Sequence, residues 1–328
     1  FGGGSIPTPS ILSAVDRIDF SNDFATASTR GSLSSARSSL VATGNSNYGW
    51  FGGGSPGPLS TVDRIDFSND FVIASPRGPL SIVRSSFAAT GNSNYGWFGG
   101  GQTPTTVSIV NRIDFANDLN TTSVRSPLSS ARYWVSATGN SNYGWFGGGY
   151  IGAFVSTVDR VTFSNDLITA SVRGSLSAIG GSKGATSGVL NKRRQKSGSY
   201  GWFGGGAVSG APPTALATVD RIDFSNDSAT ALARGSLSAT KYRLAATGNS
   251  NYGWFGGGAT PTIVATVDRI DFSNDSVAAS VRGLLFTARS NLAATGNSNY
   301  GWFGGGGTPA ATATVDRIDF SNDSVKAT

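Results

Sequence analysis

Tyr95-Gly96-Trp97-Phe98-Gly99-Gly100-Gly101 is one of six copies of the same heptapeptide, the others beginning at Tyr48, Tyr143, Tyr200, Tyr252 and Tyr300. Its tail, Phe-Gly-Gly-Gly, also opens the chain at Phe1. The repeated Phe stands at positions 1, 51, 98, 146, 203, 255 and 303, so repeats beginning there follow one another at intervals of 50, 47, 48, 57, 52 and 48 residues. A period of about 40–50 residues built from strand-like segments is the signature of a propeller assembled blade by blade. Strand alternation places Tyr95 and Trp97 on one face of a sheet and Gly96 and Phe98 on the other. A glycine opposite a large ring leaves a neighbouring sheet room to approach. Trp50, Trp97, Trp145, Trp202, Trp254 and Trp302 are therefore expected between blades, each indole filling the next blade's glycine-lined hollow. Truncating one of them, as in Trp145→Ala, is expected to cost about 3–5 kcal/mol.

Residues 77–123 give one full unit. Ser85–Thr90 reads as a first strand, Gly91-Asn92-Ser93-Asn94 as a turn and Asn94–Gly99 as a second strand. After the variable stretch from Gln102, Val107–Phe115 reads as a third strand, Ala116-Asn117-Asp118 as a turn and Leu119–Val124 as a fourth. The third strand is Val-Asp-Arg-Ile-Asp-Phe in five copies; Asn111 replaces the first Asp in one copy and Thr162 the second in another. Arg64 and Asp66 share a face, which predicts charge-assisted pairing between strands or blades. A buried pair of that kind specifies geometry more surely than it adds stability.

Composition agrees with an all-β chain. Every acidic residue is Asp, and Val, Ile, Thr, Phe and Tyr outnumber the helix-favouring Glu, Lys and Gln. Cys, His and Met are absent from the 328 residues. That excludes disulfides, thiolate or imidazole metal sites and the usual nucleophile–base pairs. The absence of Met implies that Phe1 is not a translation start. No apolar run approaches the roughly 18–20 residues of a spanning helix. The net charge of +6 comes from 25 basic and 19 acidic groups, most at fixed places in each repeat, as paired or solvated scaffold charge would be.

The repeat resembles the kelch repeat. Four features carry the resemblance: the glycine doublet ending the second strand (within Gly52–Gly54), the aromatics before it (Tyr95, Trp97), the hydrophobic-Asp pair of the third strand (Ile65-Asp66, Ile222-Asp223), and a cation opening the first strand (Arg37, Arg84, Arg132, Arg289, with Lys241 once). The fourth-strand Trp usual in kelch repeats is missing, and the copies are unusually alike. A looser similarity links the chain to uncharacterised repeat proteins of marine phages. The resemblance implies a single propeller domain over residues 1–328, with the first-to-second and third-to-fourth strand loops on one face. The second-to-third loops and the connections between blades then lie on the other. Copper-oxidase activity, known in some kelch propellers, is not expected without Cys or His. Seven four-stranded blades are expected, the first lacking its first two strands. The alternative is six blades with a redundant half.

The first set of loops is nearly constant, whereas the second-to-third loops vary: Ser5–Ser13, Ser55–Ser60, Gln102–Ser108, Tyr150–Ser156, Ala207–Ala217, Ala259–Ala265 and Gly307–Ala313. Variable loops on a rigid scaffold are where binding is expected. Tyr150, Phe154, Tyr133 and Trp134 are candidate contacts for a glycan or protein partner. The fourth repeat carries Gly180 where the others carry Arg or Lys. It also carries a basic cluster, Lys192, Arg193, Arg194 and Lys196, suited to an anionic partner. Asp-Phe-Ser-Asn-Asp (Asp66–Asp70, Asp223–Asp227) offers oxygens to Ca²⁺ but reads more simply as a turn. The segment from Gly180 to Thr186 lacks the spacing of a phosphate loop. Sequons at Asn120, Asn226, Asn274 and Asn322 are mostly part of the repeated turn. The expectation is a non-catalytic structural or adhesion module without a cofactor, extracellular or virion-associated, within a phage or virus fibre or a similar assembly. A lectin with repeated pockets is the alternative, followed by a scaffold that grips an acidic partner.

Overall fold

The computed structural model describes residues 1–5, 11–18, 28–187, 200–208, 213–308 and 310–327. Apart from one 3-10 turn at Phe163–Asn165, the described regular structure is all strand. The described strands form seven successive antiparallel sheets of three or four strands, with two small two-stranded ribbons, Ala259–Thr260 with Thr262–Ile263 and Gly307–Thr308 with Ala310–Ala311, in the second-to-third loops. Sheet 3 shows the plan: Ala88–Gly91, Tyr95–Gly99, Val110–Asp114 and Ser123–Arg125, each hydrogen-bonded to its neighbour in sequence. Sheets 2, 4, 5 and 6 repeat it. Sheet 1 has three strands, Gly2–Ser5, Ile11–Arg17 and Ser28–Arg30. The tail of a second strand is thus present where only the third and fourth were expected. Sheet 7 is also three-stranded, with Ala293–Gly296, Tyr300–Gly304 and Val315–Asp319. Seven sheets remove the six-blade alternative. The residues read above as one domain group into two compact units, residues 1–146 with 159–171, and 147–158 with 172–328.

Strand bounds shift for local reasons. The first strand starts at Ala88 rather than Ser85 because Ser86 has φ 57°, which breaks extension. The fourth strand is Ser123–Arg125 rather than Leu119–Val124, because Asp118 is drawn inward and Leu119 is left 70 % exposed at the turn.

The packing between sheets corrects the expectation for the indoles. It is the Phe of the heptapeptide that fills the glycine hollow. A β-carbon on Gly99 would lie 2.6 Å from the Phe146 ring, and one on Gly204 2.7 Å from the Phe255 ring. Four of the indoles instead stack on the Phe that follows the next sheet's third strand: Trp50 on Phe115 at 3.9 Å and Trp97 on Phe163 at 3.8 Å, and likewise Trp202 on Phe272 and Trp254 on Phe320. Phe98, Phe146, Phe203, Phe255 and Phe303 are fully buried, so they have nowhere to move. Gly99→Ala is therefore expected to destabilise by about 1–3 kcal/mol through overpacking, measured by urea denaturation. An unchanged midpoint would contradict this packing.

The indole N–H is also committed. Trp50 Nε1 donates to Asp118 at 2.8 Å, Trp97 to Asp166 at 2.8 Å, Trp202 to Asp275 at 2.9 Å and Trp254 to Asp323 at 2.9 Å. Each of these buried carboxylates ends a Ser-Asn-Asp or Ala-Asn-Asp turn and is flanked by two guanidinium groups. Asp118 meets Arg64 at 3.2 Å and Arg77 at 3.5 Å. Asp275 meets Arg221 at 3.1 Å and Arg234 at 3.4 Å. Arg64 thus pairs with the next sheet, not with Asp66 on its own strand. Asp66 accepts from the Ser68 hydroxyl at 2.6 Å and the Ser68 N–H at 2.9 Å, closing the turn. Those bonds hold its carboxyl below the usual carboxylate range.

A second set of charges lies fully inside. Arg37 meets Asp63 at 2.8 Å, Arg132 meets Asp159 at 2.9 Å, Lys241 meets Asp268 at 2.7 Å and Arg289 meets Asp316 at 2.8 Å, all at 1 % exposure or less. In sheet 3 the partner is neutral: Arg84 donates to Asn111 Oδ1 at 2.8 Å and to the carbonyls of Phe98, Gly100 and Ile109. Burial with no carboxylate pushes this guanidinium down to about 9. In the fourth repeat Gly180 stands in the cation's place, and the cation is supplied three residues later. Lys183 Nζ donates to the Gly205 carbonyl at 3.1 Å, with Asp220 as its charge partner.

Candidate functional site

In five sheets the buried cation directly precedes a two-residue elbow before the first strand; in the fifth sheet the elbow Gly181-Ser182 comes just before its cation, Lys183. The elbows are Ser38-Ser39, Ser85-Ser86, Tyr133-Trp134, Gly181-Ser182, Tyr242-Arg243 and Ser290-Asn291. The second residue of every elbow is left-handed: φ is 54° at Ser39, 57° at Ser86, 55° at Trp134, 53° at Ser182, 56° at Arg243 and 56° at Asn291. Asn tolerates this conformation well, whereas a bulky side chain there is an outlier costing about 1–3 kcal/mol.

The glycine run explains why the elbows sit beside their neighbours. Gly100 and Gly101 have φ of 72° and 107°. The Gly101 N–H donates to the Arg132 carbonyl at 2.8 Å, and Gly206 does the same to Lys241. A β-carbon on Gly100 would lie 2.7 Å from the Arg132 carbonyl oxygen. The residue after the run then bridges to the first elbow residue: Ser55 to Ser38, Gln102 to Ser85, Ala207 to Gly181, Ala259 to Tyr242 and Gly307 to Ser290. Elbow and second-to-third loop are hydrogen-bonded together in each of these copies. Neighbouring elbows join too. Ser86 N–H donates to the Ser39 carbonyl at 3.4 Å and Trp134 N–H to the Ser86 carbonyl at 2.9 Å in the first unit; Asn291 N–H donates to the Arg243 carbonyl at 2.9 Å in the second.

The aromatic candidates lie at an elbow of the first unit and in a second-to-third loop of the second. Tyr133 and Trp134 form one elbow, their rings 4.6 Å apart at 57°. Trp134 is 40 % exposed, against 2 % or less for the other six tryptophans. Tyr150 and Phe154 face each other across a bridge within the following loop, 5.1 Å apart and edge to face. In the second unit Arg243 lies over Tyr242 at 5.3 Å. Lys192, Arg193, Arg194 and Lys196 lie outside the described residues.

The chemistry of the other groups is that of a scaffold. The perturbed cations Arg37, Arg132, Lys183, Lys241 and Arg289 are held below their ordinary values by burial, and burial raises Asp220 and Asp316. All are buried. Asp70 and its equivalents are crowded by two guanidinium groups, which is no environment for a cation. Among the described residues no cluster of three acidic side chains is suited to a metal. No helix of the described residues is long and apolar enough to cross a membrane. At the sequon turns, Asn226, Asn274 and Asn322 are exposed, and each accepts a hydrogen bond from the hydroxyl two residues on. A cavity of about 120 Å³ lined by Arg64, Asp66, Asn69, Val72 and Ile73 is small for an organic ligand. The elbows are what the sequence did not reveal. Their one signal, in five of the six copies, is a pair of residues of no fixed type between a fixed cation and a fixed strand.

No family model matches the chain, and no curated protein matches it. The kelch-like and phage-like similarities therefore stand as resemblances. Among solved structures it is similar to one titled "Structure of YjhT", with a TM-score of 0.69 and 12 % identity over 90 % of this chain and 98 % of that one. At that identity the likeness concerns fold alone: a β-propeller with seven blades.

Proposed function

We propose that the chain is a non-catalytic interaction module of the adhesion or structural kind. It works outside the cell or on a virion and presents its elbows and second-to-third loops to a partner. One observation carries this reading. Residue identity is nearly constant where sheets lock together, with a few conservative exchanges such as Asn111 and Lys241, and varies where elbow and loop are bridged. The heptapeptide, the Val-Asp-Arg-Ile-Asp strand and the turn Asp recur, while the bridged pairs read Ser/Ser, Ser/Gln, Gly/Ala, Tyr/Ala and Ser/Gly. A display surface needs that division of labour.

The test is an array of extracellular glycoproteins and polysaccharides probed with the parent and two variants. One variant carries Ser-Asn in the Tyr133-Trp134 and Tyr242-Arg243 elbows and Ser at Tyr150 and Phe154. The other carries Ser at the exposed turn residues Leu119 and Leu167. Binding by the parent should be lost in the first and kept in the second. The reverse pattern, or binding by neither parent nor variant, would remove the proposal.

A further inference from the structure

We propose that the Tyr133-Trp134 elbow is a binding platform for a neutral glycan, with the indole face taking a sugar ring. This rests on the interaction-module reading and names the ligand class of that surface.

Three observations converge. First, Trp134 occupies a left-handed position filled by Ser, Ser, Ser, Asn and Arg in the other copies. Strain at a bulky residue points to function when the fold does not demand that residue, and five copies fold without it. Second, the six other indoles are enclosed between sheets, whereas this one is 40 % exposed beside a half-buried Tyr. An amphipathic ring held at the surface offers a flat apolar face with a polar edge. Pyranose rings present a matching face of C–H groups. Third, the surroundings in the first unit are hydroxyl-rich and uncharged. The elbow chain runs through Ser39 and Ser86, and the bridged loops read Ser-Pro-Gly-Pro-Leu-Ser from Ser55 and Gln-Thr-Pro-Thr-Thr from Gln102. The cations preceding these elbows, Arg37, Arg84 and Arg132, are at 0 % exposure, so none of these three is offered to a phosphate. Neutral hydroxyls beside an aromatic face select a sugar over a nucleotide. The platform is unique to one elbow, unlike a lectin with equivalent pockets in every blade.

Because Trp134 is the one exposed indole, it reports on itself. The parent chain is titrated with cellohexaose, maltohexaose, mannohexaose and chitohexaose, with oligothymidylate as the contrast. Acrylamide quenching of red-edge emission and N-bromosuccinimide oxidation of Trp134 are followed. At least one oligosaccharide should protect Trp134 saturably, reducing oxidation several-fold, and oligothymidylate should not. Trp134→Asn should abolish that binding with a melting midpoint no lower than the parent's. The proposal falls if no oligosaccharide protects at millimolar concentration. It also falls if oligothymidylate protects instead, if Trp134→Asn still binds, or if that variant melts well below the parent. Loss of this proposal with protein partners still captured through the variable face would leave the interaction-module reading intact.

Discussion

Replacing Trp97 by alanine is expected to lower the free energy of unfolding by about 3–5 kcal/mol, read from urea or thermal denaturation. The indole is fully buried, stacks 3.8 Å from Phe163 and donates to Asp166 at 2.8 Å. Alanine opens a cavity between two sheets and removes one donor from a buried carboxylate. Asp166 keeps Arg112 at 3.2 Å and Arg125 at 3.6 Å, so its charge stays compensated and the cavity dominates the loss. Trp97→Phe separates the terms. It retains most of the ring over Phe163 and loses the N–H, so it is expected to cost about 1–3 kcal/mol. Equal losses in the two variants would assign the effect to the hydrogen bond rather than to packing. A parent-like midpoint for Trp97→Ala would mean that the indole does not lock the sheets.

Removing a single inner carboxylate should be as damaging. Asp63→Ala leaves Arg37 at 0 % exposure with only the carbonyls of Phe51 and Thr61 as partners. Breaking a buried pair from one side costs about 3–5 kcal/mol, because the remaining charge is stranded. The chain contains its own control. Sheet 3 holds Arg84 with Asn111 in the equivalent place, so the site accepts an amide that offers its oxygen at 2.8 Å. Asp63→Asn should therefore cost distinctly less than Asp63→Ala. The converse change, Asn111→Asp, should raise stability by about 1 kcal/mol or more, since a charge-assisted bond replaces a neutral one. Burial lowers the Arg84 guanidinium to about 9 from an ordinary 12.5, so the penalty of holding it charged is in full force below pH 9. The gain from Asn111→Asp should accordingly be present throughout the neutral range. Destabilisation by Asn111→Asp, or equal losses in the two Asp63 variants, would show that the carboxylates do not hold these cations.

Much of the fold could be read from the repeat because its chemistry is local. Alternation in Tyr-Gly-Trp-Phe-Gly placed the faces correctly, and the polar turns fell where Asn92, Asn140 and Asn249 accept the N–H groups of the residues that follow. Which ring meets which glycine depends on the stagger between sheets. No periodicity along one strand encodes that stagger, so Trp and Phe were exchanged. The partner of Arg64 was hidden for the same reason: Asp118 is 54 residues away, whereas Asp66 is two. Gly180 suggested a lost cation because sequence alignment cannot see a lysine reaching back from position 183. At the candidate surface, the aromatic character of Tyr133 and Trp134 was legible. The left-handed backbone that makes Trp134 costly was not, since Ser39 and Ser86 carry no glycine or asparagine signal for it.

Hydrogen exchange of the tryptophan side chains, followed in spectra of protein labelled with ¹⁵N at the indole nitrogen, tests the central claim most directly. The indole N–H groups of Trp50, Trp97, Trp202 and Trp254 are each committed to a carboxylate of the next sheet. The account predicts exchange at those four positions slowed by orders of magnitude relative to a free indole. Rapid exchange at any of the four would contradict it.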